Sequence, residues 1–462
     1  MRYPLLTASM LATGAVAADV GSRVSGAAAT VNERSVRAHM EFLAGDALNG
    51  RGSGTRDEWI AAQYLASRMR AAGLTPLGDE GGFVQTVNLS RTQVEGTPEL
   101  RAGNERLQHG TQMLVLGLDA AAAAGPLQKF KPGTAAAGGS VLLMPAGADP
   151  ENAAGLDAAA VVLWRENAQL RSLWSSLAGR PLNVGGARLA GIDTAAPATP
   201  SPVQILLSAA AYDQLAAMPA GTPVQFSART QEATSRTWNA VGSLPGTDAV
   251  RGKQVILLTA HLDHLGAAAE GADRIYNGAD DDASGSIAVL SLAEALARQP
   301  RPKRSIVFAF FGSEEVGSIG ARHFLARHTV PVDAIIANLE FEMIGRSDPA
   351  VADHTLWLTG WERTNLGPAL AAHGARLVGD PHPKEKFFMR SDNITLARRG
   401  VIAQTVSSFG LHAQYHQPDD DIAHIDFRHM TDSIQSMLGP VRWLADSTFR
   451  PAWLPGGQPP PK

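Results

Sequence analysis

The feature that most constrains the fold is a regular alternation of apolar runs and helical patterns, which begins near residue 237. Val255–Ala260 is a continuous apolar run, as expected for a strand that is buried on both faces of a sheet. Ser284–Arg298 has the pattern of a mostly buried helix. The next strand, helix and strand are predicted at Ser305–Phe311, Ile319–Arg327 and Ala334–Met343. Elements in this order predict an α/β three-layer sandwich with a mostly parallel central sheet.

The segment before this alternation has a different character. Residues 97–236 are rich in Ala, Gly and Pro and contain short β-like runs such as Ser140–Met144. They predict an inserted smaller domain, β-rich or α+β. Residues 18–96 and 237–450 would then form one discontinuous domain, in which Thr55–Glu58 has the form of a capping box that begins a helix. The Pro- and Gly-rich residues 451–462 predict a flexible tail.

The first residues have the pattern of a secretory signal peptide. Arg2 precedes the apolar run Leu5–Ala12, and Ala15-Val16-Ala17 forms a small-residue cleavage pattern. We therefore expect residues 1–17 to be removed and the protein to be secreted or periplasmic. No later apolar run approaches the roughly 20 residues of a membrane span, so no membrane span is predicted.

The charge balance and the lack of cysteine exclude several classes of function. The chain has 40 basic and 44 acidic side chains and a formal net charge of −4, whereas nucleic-acid binders normally carry a basic surplus. Without cysteine, disulfides, thiolate chemistry and cysteine-ligated metals are excluded. Any metal must therefore be held by His, Asp and Glu.

Metal-binding residue types occur in clusters close to the predicted strands. The clusters are His261–His264, Gly278–Gly285, Ser313–Gly317, Glu340–Glu342 and the later loop Tyr415–Asp421. Ligands bind beyond the carboxyl ends of strands in open α/β sheets, so distant parts of the chain would meet at one edge. So many carboxylates without basic partners would repel one another, and divalent cations would relieve that repulsion. The sequence therefore predicts a metal site with more than one ion.

Each cluster taken alone also has a purely structural interpretation. The run Asp280-Asp281-Asp282, for example, is typical of a helix N-terminus, where carboxylates accept from free amides. Adjacent Glu314 and Glu315 are typical of a solvated pair, and His416 alone is typical of a structural histidine. The joint occurrence of the clusters, in this order and at predicted strand ends, favours the metal site.

The same residues resemble a known family. The ordered set H-x-D, G-A-D-D-D-A-S-G, S-E-E-V-G-x-x-G, a carboxylate followed by Met, and Y-H-x-P-x-D is similar to the co-catalytic di-zinc aminopeptidases. These include bacterial leucyl aminopeptidase and aminopeptidase S type enzymes, with glutamate carboxypeptidase and glutaminyl cyclase as distant relatives. The resemblance covers about 237–450 and implies a zinc exopeptidase-like fold. Residues 30–95 look like the family's N-terminal segment, and 97–236 resemble a protease-associated insert.

The resemblance implies a role for individual residues. Two Zn²⁺ ions would be held by His261, Asp281, Glu315, Glu342 and His416, with Asp281 bridging the ions. Glu314 would be the general base, and Asp263 would hydrogen-bond to His261 and fix its tautomer. Asp280 and Asp282 would be capping and solvent-facing residues. The chain departs from the family in Glu342, where many members have Asp, and in Asn393, where relatives often have His.

The implied function is an exported metallo-aminopeptidase acting on peptides with a free N-terminus, through zinc-activated water and Glu314. Carboxypeptidase or glutaminyl cyclase chemistry on the same site stays open, and Arg346 and Arg390 are candidates for binding a substrate carboxylate. A non-catalytic binding protein that retains zinc is the third alternative.

Overall fold

The computed structural model describes residues 30–461, apart from 132–134, 149–155, 173, 175–177, 180–181 and 191–200. The predicted signal peptide, residues 1–17, lies outside the described residues. Within these ranges, no helix combines the length and hydrophobicity needed to cross a membrane.

A mostly parallel sheet forms the centre of the larger part of the chain. In spatial order its strands are β17 (Leu377–Gly379), β16 (Leu356–Leu358), β18 (Ala403–Ser407), β15 (Ile335–Phe341), β11 (Val255–His261), β14 (Ser305–Phe311) and β10 (Pro223–Leu244). The neighbouring pairs from β18 to β14 are parallel, while β10 is antiparallel to β14 and β16 is antiparallel to β18. The predicted α/β class with a mostly parallel sheet is confirmed.

Helices cover both faces of this sheet. Among the described residues, these helices are α1 (Glu33–Leu43), α2 (Arg56–Ala71), α5 (Gly285–Ala297), α6 (Ile319–Ala326), α7 (Leu366–Ala372), α8 (Asn393–Ala397) and α9 (Phe427–Asp446), whereas α3 (Ala168–Ser172) and α4 (Ala209–Ala217) lie between β2 (Val84–Ala102) and β10. Helices α1, α2, α5 and α9 pack with Ile256 and Leu258 of β11 in one hydrophobic cluster. Helices α6 and α8 pack with Val255 and Leu257 of the same strand in another. Because successive residues of β11 point to opposite faces, its continuous apolar run serves both layers.

A long two-stranded ribbon connects this sheet to the rest of the protein. Strand β2 (Val84–Ala102) pairs antiparallel with β10 from Val84↔Ala240 to Ala102↔Val224. The chain therefore leaves the central sheet on β2 and returns to it on β10. The predicted insert limits, residues 97 and 236, fall inside these two strands.

The residues that lie between β2 and β10 in the chain have a hydrophobic core of their own. Their strands are β3 (Glu105–Gln108), β4 (Met113–Gly117), β5 (Ala122–Lys129), β6 (Val141–Leu143), β7 (Val161–Arg165), β8 (Asn183–Leu189) and β9 (Val203–Leu207). Leu100 and Phe226 of the ribbon pack with Val141, Val161 and Ile205 in this core. The remaining short strands are β1 (Thr75–Pro76), β12 (Gly266–Ala267) and β13 (Ile275–Tyr276).

The C-terminal residues, for which the composition predicts a flexible tail, contact the larger part of the chain. Trp453 forms an isolated bridge with Thr364, and the amide of Leu454 donates to the carbonyl of Arg363 at 2.8 Å. The Arg363 guanidinium donates in turn to the carbonyl of Gly457 at 2.9 Å. Composition did not indicate these contacts because they depend on Trp453 reaching the hydrophobic clusters on the sheet.

An ion pair between a buried carboxylate and a partly exposed arginine joins two helices on one face of the sheet. Glu294 of α5 is 6% exposed and accepts from Nε and Nη2 of Arg68 on α2, at 3.1 and 2.6 Å. Burial raises the pKa of Glu294, but hydrogen bonds and charge attraction from His39 and Arg68 outweigh burial and leave the pKa below its usual value. The charged form of Glu294 therefore stabilises the folded state.

We predict that Glu294→Gln lowers the free energy of unfolding at pH 7 by about 2 kcal/mol, because it weakens a charge-assisted buried contact. A lowered folded-state pKa stabilises above the unfolded pKa, and this contribution is lost as the pH falls through the folded-state pKa. Urea unfolding should therefore show the difference from wild type shrinking below about pH 4. Glu33→Gln removes an exposed pair and should cost under about 0.5 kcal/mol. An equal loss of unfolding free energy at pH 7 and below about pH 4 would contradict the role of the charge.

Candidate metal centre

The strand order brings the predicted ligands to one edge of the sheet. Strands β11, β14 and β15 are parallel, and they end at His261, Phe311 and Phe341. His261 is the last residue of β11, whereas Glu314 and Glu315 follow β14 and Glu342 follows β15. These side chains meet because parallel strands place their carboxyl ends together.

Two groups of potential metal ligands lie at this edge, and they share one residue. His261, Asp281 and Glu342 form the first group, and His264, Asp281 and Glu315 form the second. Within each group the ligand atoms all lie within 4.8 Å of one another. In the first group, Nε2 of His261 is 3.2 Å from Oδ1 of Asp281.

The other carboxylate oxygen of Asp281 faces a different histidine. Nε2 of His416 is 3.2 Å from Oδ2 of Asp281 and 3.4 Å from Oε2 of Glu315. The structure therefore brings together all the residues that the sequence predicts as ligands. Asp281 lies between them, with one oxygen toward each histidine.

The residues present fit zinc. Neutral imidazole nitrogens and carboxylate oxygens are ligands that Zn²⁺ accepts, and each group offers three of them. In the second group, Nδ1 of His264 faces Glu315 and Asp281, at 2.8 Å from Oε1 and 3.8 Å from Oδ2.

His264 is a site residue that the family resemblance did not identify. Its side chain is fully buried, and its Nδ1 lies 2.8 Å from Oε1 of Glu315. The available signal was its position in the H-x-D-H cluster that directly follows β11. His264 contacts Oε1 of Glu315, whereas His416 faces Oε2 of the same carboxylate.

The neighbours of Asp281 in the acidic run are structural and inaccessible to solvent. Asp282 accepts from the amides of His261, Gly285 and Met343 at 3.2, 3.0 and 3.2 Å. Asp280 accepts from the amide of Gly345 at 2.7 Å. The expectation of solvent-facing residues is wrong for both, because each is 0% exposed and ties the start of α5 to the end of β15. The capping expectation is met at Asp282, through the amide of Gly285.

Two further buried side chains hold the acidic turn in place. Asp420 accepts from the amides of Asp280 and Asp281 and from Nη2 of Arg346, the last at 2.8 Å. Arg51 is 1% exposed and donates to carbonyls on both sides of the site, including those of Leu262 at 3.0 Å and Gly278 at 2.9 Å. Burial lowers the pKa of Arg51, whereas the attraction of Asp263, Asp282 and other carboxylates opposes this decrease. Arg51 is a fixed cation beneath the carboxylates.

The contact of Asp263 with His261 differs from the prediction. The backbone carbonyl of Asp263, rather than its carboxylate, lies 3.2 Å from Nδ1 of His261, and the nearest carboxylate oxygen is 3.7 Å away. The carboxylate instead accepts from the hydroxyl of Ser53 and from the amide of Glu314 at 3.0 Å. Asp263 thus positions the loop that carries Glu314.

The residue before Glu314 adopts a strained conformation that a buried glutamate supports. Ser313 has φ of +55°, a region that costs a non-glycine residue on the order of 1 kcal/mol. Oε1 of Glu58 accepts from the amide and the hydroxyl of Ser313 at 2.9 and 3.3 Å and from the hydroxyl of Thr237 at 2.6 Å. Glu58 lies in the predicted capping box, but its carboxylate holds this distant loop as well as the amide of Gly54.

The surroundings of Glu314 favour its protonated form. Burial raises the pKa of Glu314 well above its usual value, and the attraction of His261 opposes this rise. Repulsion from Asp392, Glu315 and Glu342 raises the pKa of Glu314 further. A carboxyl group with a raised pKa can both accept and return a proton near neutral pH.

A pocket with about 520 Å³ of empty space opens beside these carboxylates. Its lining joins Glu314, Glu315 and Glu342 to an apolar wall formed by Met343, Trp357, Phe387, Phe409 and Tyr415. The Trp357 ring stacks on Phe387 with 5.4 Å between centroids. Asp348, which is 1% exposed, accepts from Nε1 of Trp357 at 3.0 Å and lies 2.8 Å from Nε2 of His382. The wall is therefore fixed from behind by a buried carboxylate.

The two arginines considered for carboxylate binding differ in availability. Arg346 is committed to Asp420 and to Oε1 of Gln414, at 2.8 and 2.9 Å. Arg390 lines the pocket, and its guanidinium lies 5.0 Å from the centroid of the Phe387 ring. Asn393, at the position where relatives often have His, donates through its backbone amide to Glu340 at 2.8 Å and is fully buried.

Comparisons with known proteins find similarity to peptidases. Residues 239–439 match the model of Peptidase family M28. Leucine aminopeptidase 2 of Trichophyton rubrum is 27% identical over 217 residues, 41% of this chain and 41% of that protein. Leupeptin-inactivating enzyme 1 of Streptomyces exfoliatus is 32% identical over 114 residues, 24% of each chain. The alignments thus cover less than half the length of these curated relatives.

Solved structures share the fold over most of the chain. An aminopeptidase from Aneurinibacillus sp. strain AM-1 has a TM-score of 0.59 at 17% identity and covers 90% of this chain and 94% of its own. BSAP, a zinc aminopeptidase from Bacillus subtilis, has a TM-score of 0.55 at 18% identity over 91% of this chain and 97% of its own. At such identities the similarity concerns the fold. Residues 239–439, which carry every candidate ligand, are the part of the chain that matches the model of Peptidase family M28.

Proposed function

We propose that this protein is an exported zinc-dependent aminopeptidase that removes the first residue from peptides with a free N-terminus. The observation that carries the proposal is the pair of ligand groups sharing Asp281, directly beside Glu314 and an apolar pocket. The match of residues 239–439 to the model of Peptidase family M28 supports it, as do relatives named leucine aminopeptidase.

Two zinc ions would lie at this edge of the sheet, with His416 rather than His264 as the histidine ligand of the second ion. His261, Asp281 and Glu342 would hold one ion, and Asp281, Glu315 and His416 the other. Bound zinc supplies a Lewis acid for the scissile carbonyl and lowers the pKa of an attacking water. His264 would act through Glu315, whose carboxylate it already contacts at 2.8 Å.

Glu314 would move the proton. As the water attacks, the carboxylate of Glu314 accepts its proton, and it later returns that proton to the nitrogen of the departing amine. The amide contact with Asp263 and the support of Ser313 by Glu58 hold the Glu314 backbone toward the pocket. A general base of this kind contributes about 10²–10⁴-fold to the rate.

The apolar wall would accept the side chain of the first residue. Met343, Trp357, Phe387 and Phe409 offer only carbon-rich surface, apart from the indole nitrogen that Asp348 already engages. Removing a bulky apolar side chain from water favours binding by about 25 cal/mol per Å². We therefore propose a preference for large apolar or aromatic N-terminal residues.

The domain and export assignments belong to the same proposal. Residues 18–96 and 237–450 would form the peptidase domain and 97–236 the insert. The separate hydrophobic core formed by the residues between β2 and β10 supports this division. The signal-like residues 1–17 support secretion or transfer to the periplasm.

Carboxypeptidase chemistry is the second candidate, because Arg390 lines the pocket and could bind a substrate carboxylate. A substrate panel separates the two. An aminopeptidase should hydrolyse leucine p-nitroanilide and free peptides, leave N-acetylated peptides intact and release no pyroglutamate from N-terminal Gln peptides. Cleavage of N-acetylated peptides from the carboxyl end would contradict the proposal.

We predict that Glu314→Gln lowers kcat for leucine p-nitroanilide by about 10³-fold, because the amide cannot accept the proton. Metal analysis should still find two zinc ions per chain. Glu270→Gln, an equal charge change at an exposed residue, should leave both values unchanged. Near wild-type hydrolysis by Glu314→Gln with zinc retained would remove Glu314 from this role.

We predict that the two histidines around Glu315 differ in their effect on metal content. His416→Ala should reduce zinc from two ions per chain to about one, because it removes a ligand. His264→Ala should keep two ions but weaken one by about 10–100-fold, as expected for an outer contact. Competition with a chelator measures both, and the exposed His328→Asn is the matched control. Loss of an ion in His264→Ala alone would instead make His264 the ligand.

A further inference from the structure

A second cavity, which we call the insert cleft, lies next to the metal centre. It has about 980 Å³ of empty space and is lined by residues that include Arg91 of β2, Leu116, Leu118, Leu182, Ala187 and Val316. Its walls come from the segments around β4 and β8, from the ribbon strand β2 and from the loop after β14. The cleft therefore lies where the proposed insert meets the peptidase domain.

Three consecutive residues connect the two cavities. Glu314 and Glu315 line the pocket at the metal centre, and Val316 lines the insert cleft. Val316 packs against a cluster that contains Leu89 of β2 and Ala187 and Leu189 of β8. Neighbouring residues of one loop thus line both the pocket at the metal centre and the insert cleft.

Arg91 is the basic residue of this cleft, whose lining also includes Asp119 and Asn183. Its Nη2 atom is buried and has no hydrogen-bond partner among the residues that the structure describes. Burial lowers the pKa of Arg91, and the attraction of Glu58 and Asp263, which support the Glu314 loop, opposes that decrease. A buried cationic donor without a partner is costly, and a guanidinium binds carboxylates in a two-pronged geometry.

We propose that the insert cleft binds the leaving part of the substrate and that Arg91 binds its C-terminal carboxylate. The preferred substrates would then be di- and tripeptides with a free carboxyl group. This inference rests on the proposed aminopeptidase function and adds the substrate length and the chemistry of the far end.

The short length of loop between the two cavities favours short peptides. With the first side chain in the aromatic pocket, the remaining residues would leave past Glu315 and Val316. An extended residue spans about 3.3–3.6 Å, so the carboxylate of a tripeptide would lie roughly 7 Å from the cleaved bond. Leu116, Leu118 and Leu182 would contact the side chains in between.

The test compares Leu-Ala-Ala, Leu-Ala-Ala-amide and leucine p-nitroanilide as substrates of the zinc-loaded, full-length protein. Wild type should hydrolyse the free acid with kcat/KM about tenfold above the amide, the value expected for one charge-assisted contact. Arg91→Met should lose that factor through KM and leave the amide and the anilide unchanged. Arg229→Met removes an exposed positive charge from β10 and should change none of the three.

Equal rates for the acid and the amide in wild type, or an equal loss on all three substrates in Arg91→Met, would overturn the inference. Hydrolysis of the anilide tests the proposed function separately. Binding of the dipeptide Ala-Ala by calorimetry does not need turnover. It should weaken about tenfold in Arg91→Met, whereas binding of Ala-Ala-amide should not change. Equal binding of both dipeptides in wild type would also overturn the inference.

Discussion

The mutual repulsion of buried carboxylates at the edge of the central sheet is the constraint on which the rest of this structure depends. Asp280, Asp281 and Asp282 are almost completely buried, and Glu314 lies close by. Such a cluster is stable only when donors and cations face every carboxylate. Backbone amides donate to Asp282, and Arg346 donates to Asp420. The imidazoles of His261 and His416 face Asp281. The histidines and carboxylates around Asp281, including His264, are ligand types that suit metal ions.

A short segment far from the family match carries much of this compensation. Arg51 places a cation beneath the turn, Ser53 donates to Asp263, and Glu58 supports the strained Ser313. The segment, residues 51–58, extends from the loop after α1 into the first turn of α2 and lies outside residues 239–439. Its contacts explain why the N-terminal helices pack on the sheet that carries the metal centre. Glu58 and Asp263, which support the Glu314 loop, also attract the charge of Arg91.

The sequence predicted the elements of the central sheet well and the contacts between distant loops less well. Strand Ser305–Phe311 has the predicted bounds, and β11 extends only one residue beyond its predicted end. These strands are recognisable because burial on both faces demands an unbroken apolar run. The capping box at Thr55 was equally local, and Thr55 accepts from the amide of Glu58. The use of Glu58 at Ser313 was not predictable, because these residues are 255 positions apart in the chain.

The sequence by itself determined the fold class and the clusters that follow β11, β14 and β15 at one edge of the sheet, because strand patterns and parallel connections fix where strand ends lie. The individual ligands were implied by the family resemblance. Only the tertiary structure decided how those residues divide their contacts. It turned the Asp263 carboxylate to Ser53 and Glu314, buried Asp280 and Asp282, and placed His264 against Glu315. It also positioned Arg91 in the insert cleft. Whether two groups form a hydrogen bond depends on differences of a few tenths of an ångström in the distance between them. When the groups belong to segments remote in sequence, periodicity and spacing do not determine that distance.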